Sequence, residues 1–213
     1  MGAIVLAARL LTGCAETPVE VPNVYMVQPQ DTLYSIAWRY GLDFRELARL
    51  NNIGSEYRIS VGQALRLAPG TAATRPATRV PKASRSSARN GAVSAQSWSW
   101  PTDSVGPPLP VQGGGILLSG RFGQEVRAAC AGKVVYAGNG IRGYGNLVII
   151  KHGENLLSAY AHNRELLITE GQEVAMGQII GHMGEGAPGK AVLYFEIRRN
   201  GKPINPLDFL SMK

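Results

Sequence analysis

Two textures of hydrophobic patterning divide the chain. The first runs from Val24 to Leu67. Apolar and polar residues alternate over Val24 to Val27, which predicts a short strand. Leu33, Ile36, Ala37 and Tyr40 then recur at helical spacing, with Asp31 or Thr32 placed to cap the helix and Gly41 to end it. Asp43 opens a second helix whose inward positions are Phe44, Leu47, Ala48 and Leu50, and the run "NNIG" closes it. Val61-Gly62-Gln63 turns into a last strand, Ala64 to Leu67. The order is strand–helix–helix–strand, in a unit so small that it is only marginally able to bury a core alone. The second texture begins at Trp98. "VRAACAGKVVYAG", "NLVIIKHG", "LLSAYAH", "EVAMGQIIGHMG" and "VLYFEIRRNG" are strand-like runs broken by glycine turns, without an amphipathic helix of useful length. This half reads as all-β, and Asn200-Gly201 marks a hairpin.

Between the two, residues 68–97 are Ala, Ser, Thr, Pro and Arg with almost nothing to bury. Arg75, Arg79, Lys82, Arg85 and Arg89 lie here without an acid among them. Much of the formal charge of +7 therefore sits in a linker, which reads as a solvated tether able to lean on anionic polymer or lipid headgroups. A basic balance suits a polyanionic partner, but the aromatic and basic interleaving of a nucleic-acid sheet is missing, so no nucleic-acid partner is expected. Two cysteines, Cys14 and Cys130, do not form a disulfide framework, and Cys130 in its apolar run reads as a small buried thiol.

The N-terminal "MGAIVLAARLLTGC" is apolar but too short to span a bilayer. Leu11-Thr12-Gly13-Cys14 resembles a bacterial lipoprotein signal, which implies lipidation at Cys14. It departs from that pattern in having Arg9 inside the apolar run and no basic residue before it; the alternative is an apolar segment with an incidental cysteine. In the lipoproteins it resembles, Ala15 rather than Asp after the cysteine implies the outer membrane. The resulting division is 1–13 signal peptide, 14–23 lipidated N-terminus and spacer, 24–67 first module, 68–97 linker and 98–213 all-β domain.

"QDTLYSIAWRYG", "LARLNNI" and "VGQALRL" resemble the LysM module. The resemblance implies binding of N-acetylglucosamine-containing glycan by the loop before the first helix and the loop after the second. Carried over, these are Gln30, Asp31, Thr32 and Leu33, with Asn52, Ile53 and Gly54. Asp31 and Thr32 also serve as helix caps, and the two roles are compatible.

"GKVVYAGNGIRGYGNLVIIKHG", "EGQEVAMGQIIGHMG" and "LYFEIRRNGKPINPLDFL" resemble the LytM-type, lysostaphin-like metallopeptidase domain. The LysM–linker–LytM order and "YAGNGIRGYGNLVIIKHGENLLSAYAHN" are similar to the NlpD-like branch, Gram-negative envelope lipoproteins that activate N-acetylmuramoyl-L-alanine amidases without cleaving wall themselves. Active LytM peptidases hold zinc with H-x-G-x-D and H-x-H. Here the first motif falls on "GGGILLSG", with Gly113 and Leu117 at the ligand positions, and H-x-H falls on Val192 and Tyr194. Only the further catalytic histidine survives, as His162. A catalytic zinc needs about three protein ligands, so neither zinc nor another cofactor is expected, and the chain is expected not to be an enzyme. His152 and His182 lack the spacing of a local metal motif. No G-x-S-x-G is present, and Glu185 with Glu196 has no supporting motif as a glycosidase pair.

Without metal, the cleft of the resembled fold would be lined by Tyr144, Tyr160, His162 and Tyr194, with Arg142 beside it. Tyr and Arg favour protein interfaces. The expectation is an outer-membrane lipoprotein facing the periplasm that binds peptidoglycan and engages an amidase during daughter-cell separation. The alternatives are a structural tether between outer membrane and peptidoglycan, and a zinc endopeptidase acting on wall cross-links.

Overall fold

A computed structural model describes residues 21–68, 98–104 and 106–210. The expected leader, Cys14 and nearly all of the basic linker lie outside the described residues. The first module is β1 (Val24–Met26), α1 (Leu33–Tyr40), α2 (Phe44–Leu50) and β2 (Ala64–Arg66), with β1 and β2 antiparallel. Thr32 caps α1: its hydroxyl accepts from the Ser35 N–H at 3.0 Å, and the Ser35 hydroxyl accepts from the Thr32 N–H at 2.9 Å, a reciprocal capping box. Gly41 ends α1 in the left-handed conformation. Asp43 caps α2 through the Arg45 N–H. Leu33, Ile36, Ala37, Phe44, Leu47 and Ala48 are buried as their spacing predicts, whereas Leu50 and Tyr40 are only half-buried.

The remaining strands are β3 (Leu109–Pro110), β4 (Ile116–Ser119), β5 (Glu125–Arg127), β6 (Gly132–Gly138), β7 (Asn146–His152), β8 (Leu156–Leu166), β9 (Glu173–Val174), β10 (Ile179–Met183), β11 (Glu185–Ala187), β12 (Lys190–Arg199) and β13 (Lys202–Ile204). They form one sheet with the central order β3-β4-β12-β8-β7-β6-β9, while β10 bridges β5 and β8, and β11 and β13 flank β12. A short 3-10 turn, Pro206–Asp208, follows. Among the described residues no helix is long and apolar enough to cross a membrane.

Period-2 alternation gives the sheet two buried faces. Leu193, Phe195 and Ile197 of β12, Tyr160 of β8 and Val148 and Ile150 of β7 face an inner core with Trp98, Ile180 and Met183. Leu147 and Ile149 of β7, Leu157, Ala159 and Ala161 of β8, and Val135 and Tyr136 of β6 face the other way. That second face is covered by the helical module, whose Leu33, Ile36, Trp38 and Leu47 join it in one continuous apolar core. The module thus completes its core with the sheet, which answers the difficulty of stabilising so small a unit.

Polar contacts fix the docking. The Thr32 hydroxyl donates to the Val135 carbonyl at 3.1 Å, and Arg39 donates to the Gly140 carbonyl at 3.3 Å. Arg45 donates to the Asn200 side chain at 2.6 Å. Arg198 at the end of β12 donates to the Trp38 carbonyl at 2.7 Å, its guanidinium carbon 3.7 Å from the Trp38 ring centroid. The β12–β13 hairpin approaches so closely that a Cβ on Gly201 would fall 2.5 Å from the Leu42 carbonyl, and Gly201 has φ of 74°. Only glycine fits there without displacement.

Candidate functional site

The residues expected around the cleft lie on the sheet face that the helical module shares. β12 and β4 pair with Tyr194 opposite Leu117, and β12 and β8 with Tyr194 opposite Ala161. The expected groove residues Tyr144, His162 and Tyr194 come together here. The Tyr144 and Tyr194 rings are 5.6 Å apart edge to face, and His162 is 6.3 Å from Tyr194. His162 sits at φ of 64°, an uncommon conformation for a non-glycine residue. Its N–H donates to the Tyr144 carbonyl at 2.9 Å, and its carbonyl accepts from the Gly184 N–H at 2.8 Å. Burial pushes the His162 imidazole pKa down, which favours the neutral ring.

Tyr160 is not part of this site. It is fully buried in the inner core on the opposite face, where its hydroxyl accepts from the Ala129 N–H at 2.9 Å. The motif "YAH" places Tyr160 and His162 two apart, but the turn in backbone at His162 breaks the alternation that would put them on one face. Arg142 is exposed in the 139–145 loop that also carries Tyr144. That loop is pinned at its start: the Gly140 N–H donates to the Tyr136 hydroxyl at 2.8 Å, and the Gly140 carbonyl accepts from Arg39 of the docked module.

The residues expected at the metal positions of the peptidase fold do not fit a zinc ion. Gly113 and Leu117 have no side-chain donor, nor does Val192. The Tyr194 hydroxyl is 2.7 Å from Glu196 Oε2 and 3.0 Å from the Gly114 carbonyl, so its proton is held between two acceptors. Burial, and next the Glu196 carboxylate, push the phenol pKa far upward, so Tyr194 stays protonated and is not available as a phenolate ligand. Gly115 makes room: a Cβ there would lie 2.8 Å from the Tyr194 hydroxyl. Glu196 is fully buried and held by Arg198, Nε to Oε1 at 2.7 Å. A continuous polar path therefore links Tyr194 in the cleft, through Glu196 and Arg198, to Trp38 of the helical module. The sequence pattern puts residues 194, 196 and 198 on one face, but the partner 160 positions away carried no sequence signal.

His152 and His182 have other partners. His152 is buried between the Ala131 carbonyl at 2.8 Å and the Ser158 hydroxyl at 2.7 Å, and its pKa is pushed down by burial to about 4. His182 pairs with Glu165 at 3.0 Å. Among the described residues no three His, Cys, Asp or Glu side chains converge as a metal site. Cys130 is a free buried thiol. Glu185 is exposed on β11, while Glu196 is enclosed by Tyr194 and Arg198, so the two carboxylates do not face a common substrate space.

A cleft of about 480 Å³ runs where the helical module meets the sheet. Asp31, Thr32 and Tyr34 line one side with residues 55–59; Lys133, Lys151 and Glu170 are on the other. Of the expected glycan contacts, Asp31 and Thr32 border it. Leu33 is buried in the core, so its side chain is removed from any ligand, and Gln30, Asn52, Ile53 and Gly54 are not among the lining residues. Asp31 is engaged by Tyr25, Arg39 and the Gln28 N–H, which brace the loop. The missed wall, 55–59, follows the expected loop directly; Tyr57 there, at φ of 54°, packs with Tyr34 and Phe44.

The sequence profile of the LysM domain matches residues 25–68, and that of Peptidase family M23 matches residues 112–206. The lipoprotein NlpD/LppB homolog of Pseudomonas aeruginosa is 39% identical over 91% of this chain and 78% of its own length. The Escherichia coli lipoprotein YgeR is 39% identical over 94% of this chain and 88% of its own. The E. coli protein named murein hydrolase activator NlpD is 35% identical over 90% of this chain and 68% of its own. A solved Pseudomonas aeruginosa structure assigned to peptidase family M23 shares the fold of the β domain, with a TM-score of 0.50, 24% identity, and 55% of this chain and 51% of that chain covered. Extended likeness to these lipoproteins, through both the LysM module and the M23-like sheet, shows that this chain belongs to the NlpD-like lipoprotein family.

Proposed function

We propose that the chain is a non-catalytic, peptidoglycan-binding lipoprotein of the outer membrane, facing the periplasm, that activates an N-acetylmuramoyl-L-alanine amidase during wall hydrolysis and daughter-cell separation. The observation that carries this reading is the state of Tyr194. The position that should supply a zinc-binding imidazole holds a neutral phenol locked to Glu196 and the Gly114 carbonyl. One half-buried imidazole, His162, cannot by itself generate the nucleophile that bound zinc provides. Peptide hydrolysis by this sheet therefore lacks its machinery, while a surface suited to a protein segment is retained. The name of the E. coli relative, murein hydrolase activator, supports assigning that surface to activation.

Mechanistically, the cleft is an aromatic patch with a cation beside it. Tyr144 and Tyr194 supply large ring faces, and Arg142 supplies an exposed charge, the residue types that dominate interface energetics. Binding shifts an amidase from an occluded to an open state only if the patch binds the open state more tightly. LysM holds the complex at its polymeric substrate. Anchoring at Cys14 would restrict the pair to the membrane-facing side of the wall. The zinc endopeptidase alternative gains nothing from the residues present.

The test is stimulation of purified amidases on isolated wall. Arg142→Ala with Tyr144→Ala should abolish stimulation and leave pelleting on sacculi unchanged, since neither residue lines the cleft that Asp31 and Thr32 border. Full stimulation by this variant would remove the patch from the account. Wall binding without stimulation of any amidase by the unaltered chain would favour the structural tether.

A further inference from the structure

The cleft between the module and the sheet has a feature that the LysM fold alone does not provide. Lys133 of β6 and Lys151 of β7 are direct cross-strand partners. Side chains so paired stand on one face with Cβ atoms about 5 Å apart, and like charges there repel. Lys151 continues the row of Leu147 and Ile149, the face covered by the module, and both lysines line the cleft. Neither lysine forms an ion pair within 4 Å with a described residue, although Glu173 lies across from Lys133 on β9. Glu170 is on the same side of the cleft, and Glu56 and Arg58 are on the LysM loop. Burial raises the Glu170 carboxyl pKa.

Opposite the lysines stand groups suited to a sugar. Tyr34 and Tyr57 expose ring surface, and their geometry is fixed by Phe44, at 4.6 Å from Tyr34 and 5.2 Å from Tyr57. The Thr32 hydroxyl is used to bind the sheet at Val135, so the cleft's two walls are registered against each other. A pocket with apolar ring faces and a few convergent polar groups is the ordinary form of a ligand site.

We infer that the glycan site of this protein is composite: the LysM loops hold the sugar, and Lys133 and Lys151 of the peptidase-like sheet hold carboxylates of a peptide-bearing, muramic-acid-containing strand. The inference rests on the LysM module's binding glycan, and adds that the sheet selects an acidic glycan over a neutral one. Two like charges forced together on adjacent strands are relieved when a carboxylate sits between them, and that relief is available only to an anionic ligand. Glu170, on the sheet side of the cleft, suits an amine of the stem peptide, so the ligand's peptide lies toward the sheet.

The test compares two probes on the full chain by titration calorimetry: a short N-acetylglucosamine oligomer, which is neutral, and a disaccharide–peptide fragment of peptidoglycan, which is acidic. The unaltered chain should bind the acidic probe more tightly. Lys133→Ala with Lys151→Ala should bind it roughly tenfold more weakly, as loss of one exposed and one half-buried charge contact implies, and should hold the neutral oligomer as before. Lys133→Arg with Lys151→Arg should retain the preference, which separates charge from any disturbance of β6 and β7. Equal binding of the acidic probe by the alanine variant would overturn the composite site while leaving the LysM glycan site intact. Binding of neither probe by the unaltered chain would overturn both.

Discussion

At the scale of single residues, one imidazole has a consequence for stability. His152 is buried, and its Nδ1 meets a carbonyl, which only accepts. The neutral ring therefore donates from Nδ1 to Ala131 and accepts at Nε2 from the Ser158 hydroxyl. Its pKa is about 4 in the fold against 6.5 for an ordinary histidine. Between those values the unfolded chain binds the proton and the folded chain does not. Stability attributable to this site is complete above about 6.5 and falls as pH drops toward about 4, by about 3 kcal/mol in total. Urea unfolding at pH 7 and pH 4 should show this loss, and His152→Gln should flatten it; equal pH dependence in both chains would refute the assignment. His152 was legible from the sequence only as a residue after a strand, because its partners Ala131 and Ser158 become neighbours through sheet pairing. The same limit explains Tyr160. The resemblance implied that it shares a cleft with His162, but the left-handed backbone at His162 sends the two to different places. Gly113, Leu117 and Val192, in contrast, needed no tertiary knowledge, because a side chain without a donor cannot be a ligand in any arrangement, whereas Tyr194 is excluded only by its contacts with Glu196 and the Gly114 carbonyl.

Whole elements were legible where the pattern was local. The LysM strand–helix–helix–strand order, the Thr32 cap and the Asn200-Gly201 hairpin all follow from spacing and turn chemistry within a few residues. The docking of that module on the β6–β7–β8 face was not, because alternating apolar residues on a strand do not say what covers them. Arg198 shows the difficulty. It follows "FEI" as one more charged residue near a strand end, yet it joins buried Glu196 to Trp38 of the other module. Removing one member of such a pair leaves a buried charge without a partner, and Arg198→Ala should destabilise the chain by about 3 kcal/mol or more. Replacing both, Glu196→Gln with Arg198→Met, should cost less than the single change. Gly201→Ala should weaken the docking, since its methyl group would collide with the Leu42 carbonyl, and should strain the hairpin turn as well, because Gly201 has φ of 74°. Limited proteolysis of this variant should release the LysM module faster than in the unaltered chain. Unchanged release would contradict the close approach of the hairpin.

For the molecule as a whole, the module and the cleft share one face of the sheet. Arg39 reaches the loop that carries Arg142 and Tyr144, and the Tyr194–Glu196–Arg198 path reaches Trp38. LysM is thus both a wall-binding part and a brace for the proposed amidase surface. Under the proposed function, such an arrangement would hold glycan contact and partner contact at fixed spacing in a single body, with catalysis left to the partner. The most direct measurement is dye release from labelled sacculi by the purified chain, alone, with each amidase, and with a chelator. The account predicts no release by the chain alone and release in the mixture above that of the amidase by itself. Release by the chain alone that a chelator abolishes would contradict it, because the cleft would then hold a metal that its side chains give no means to bind.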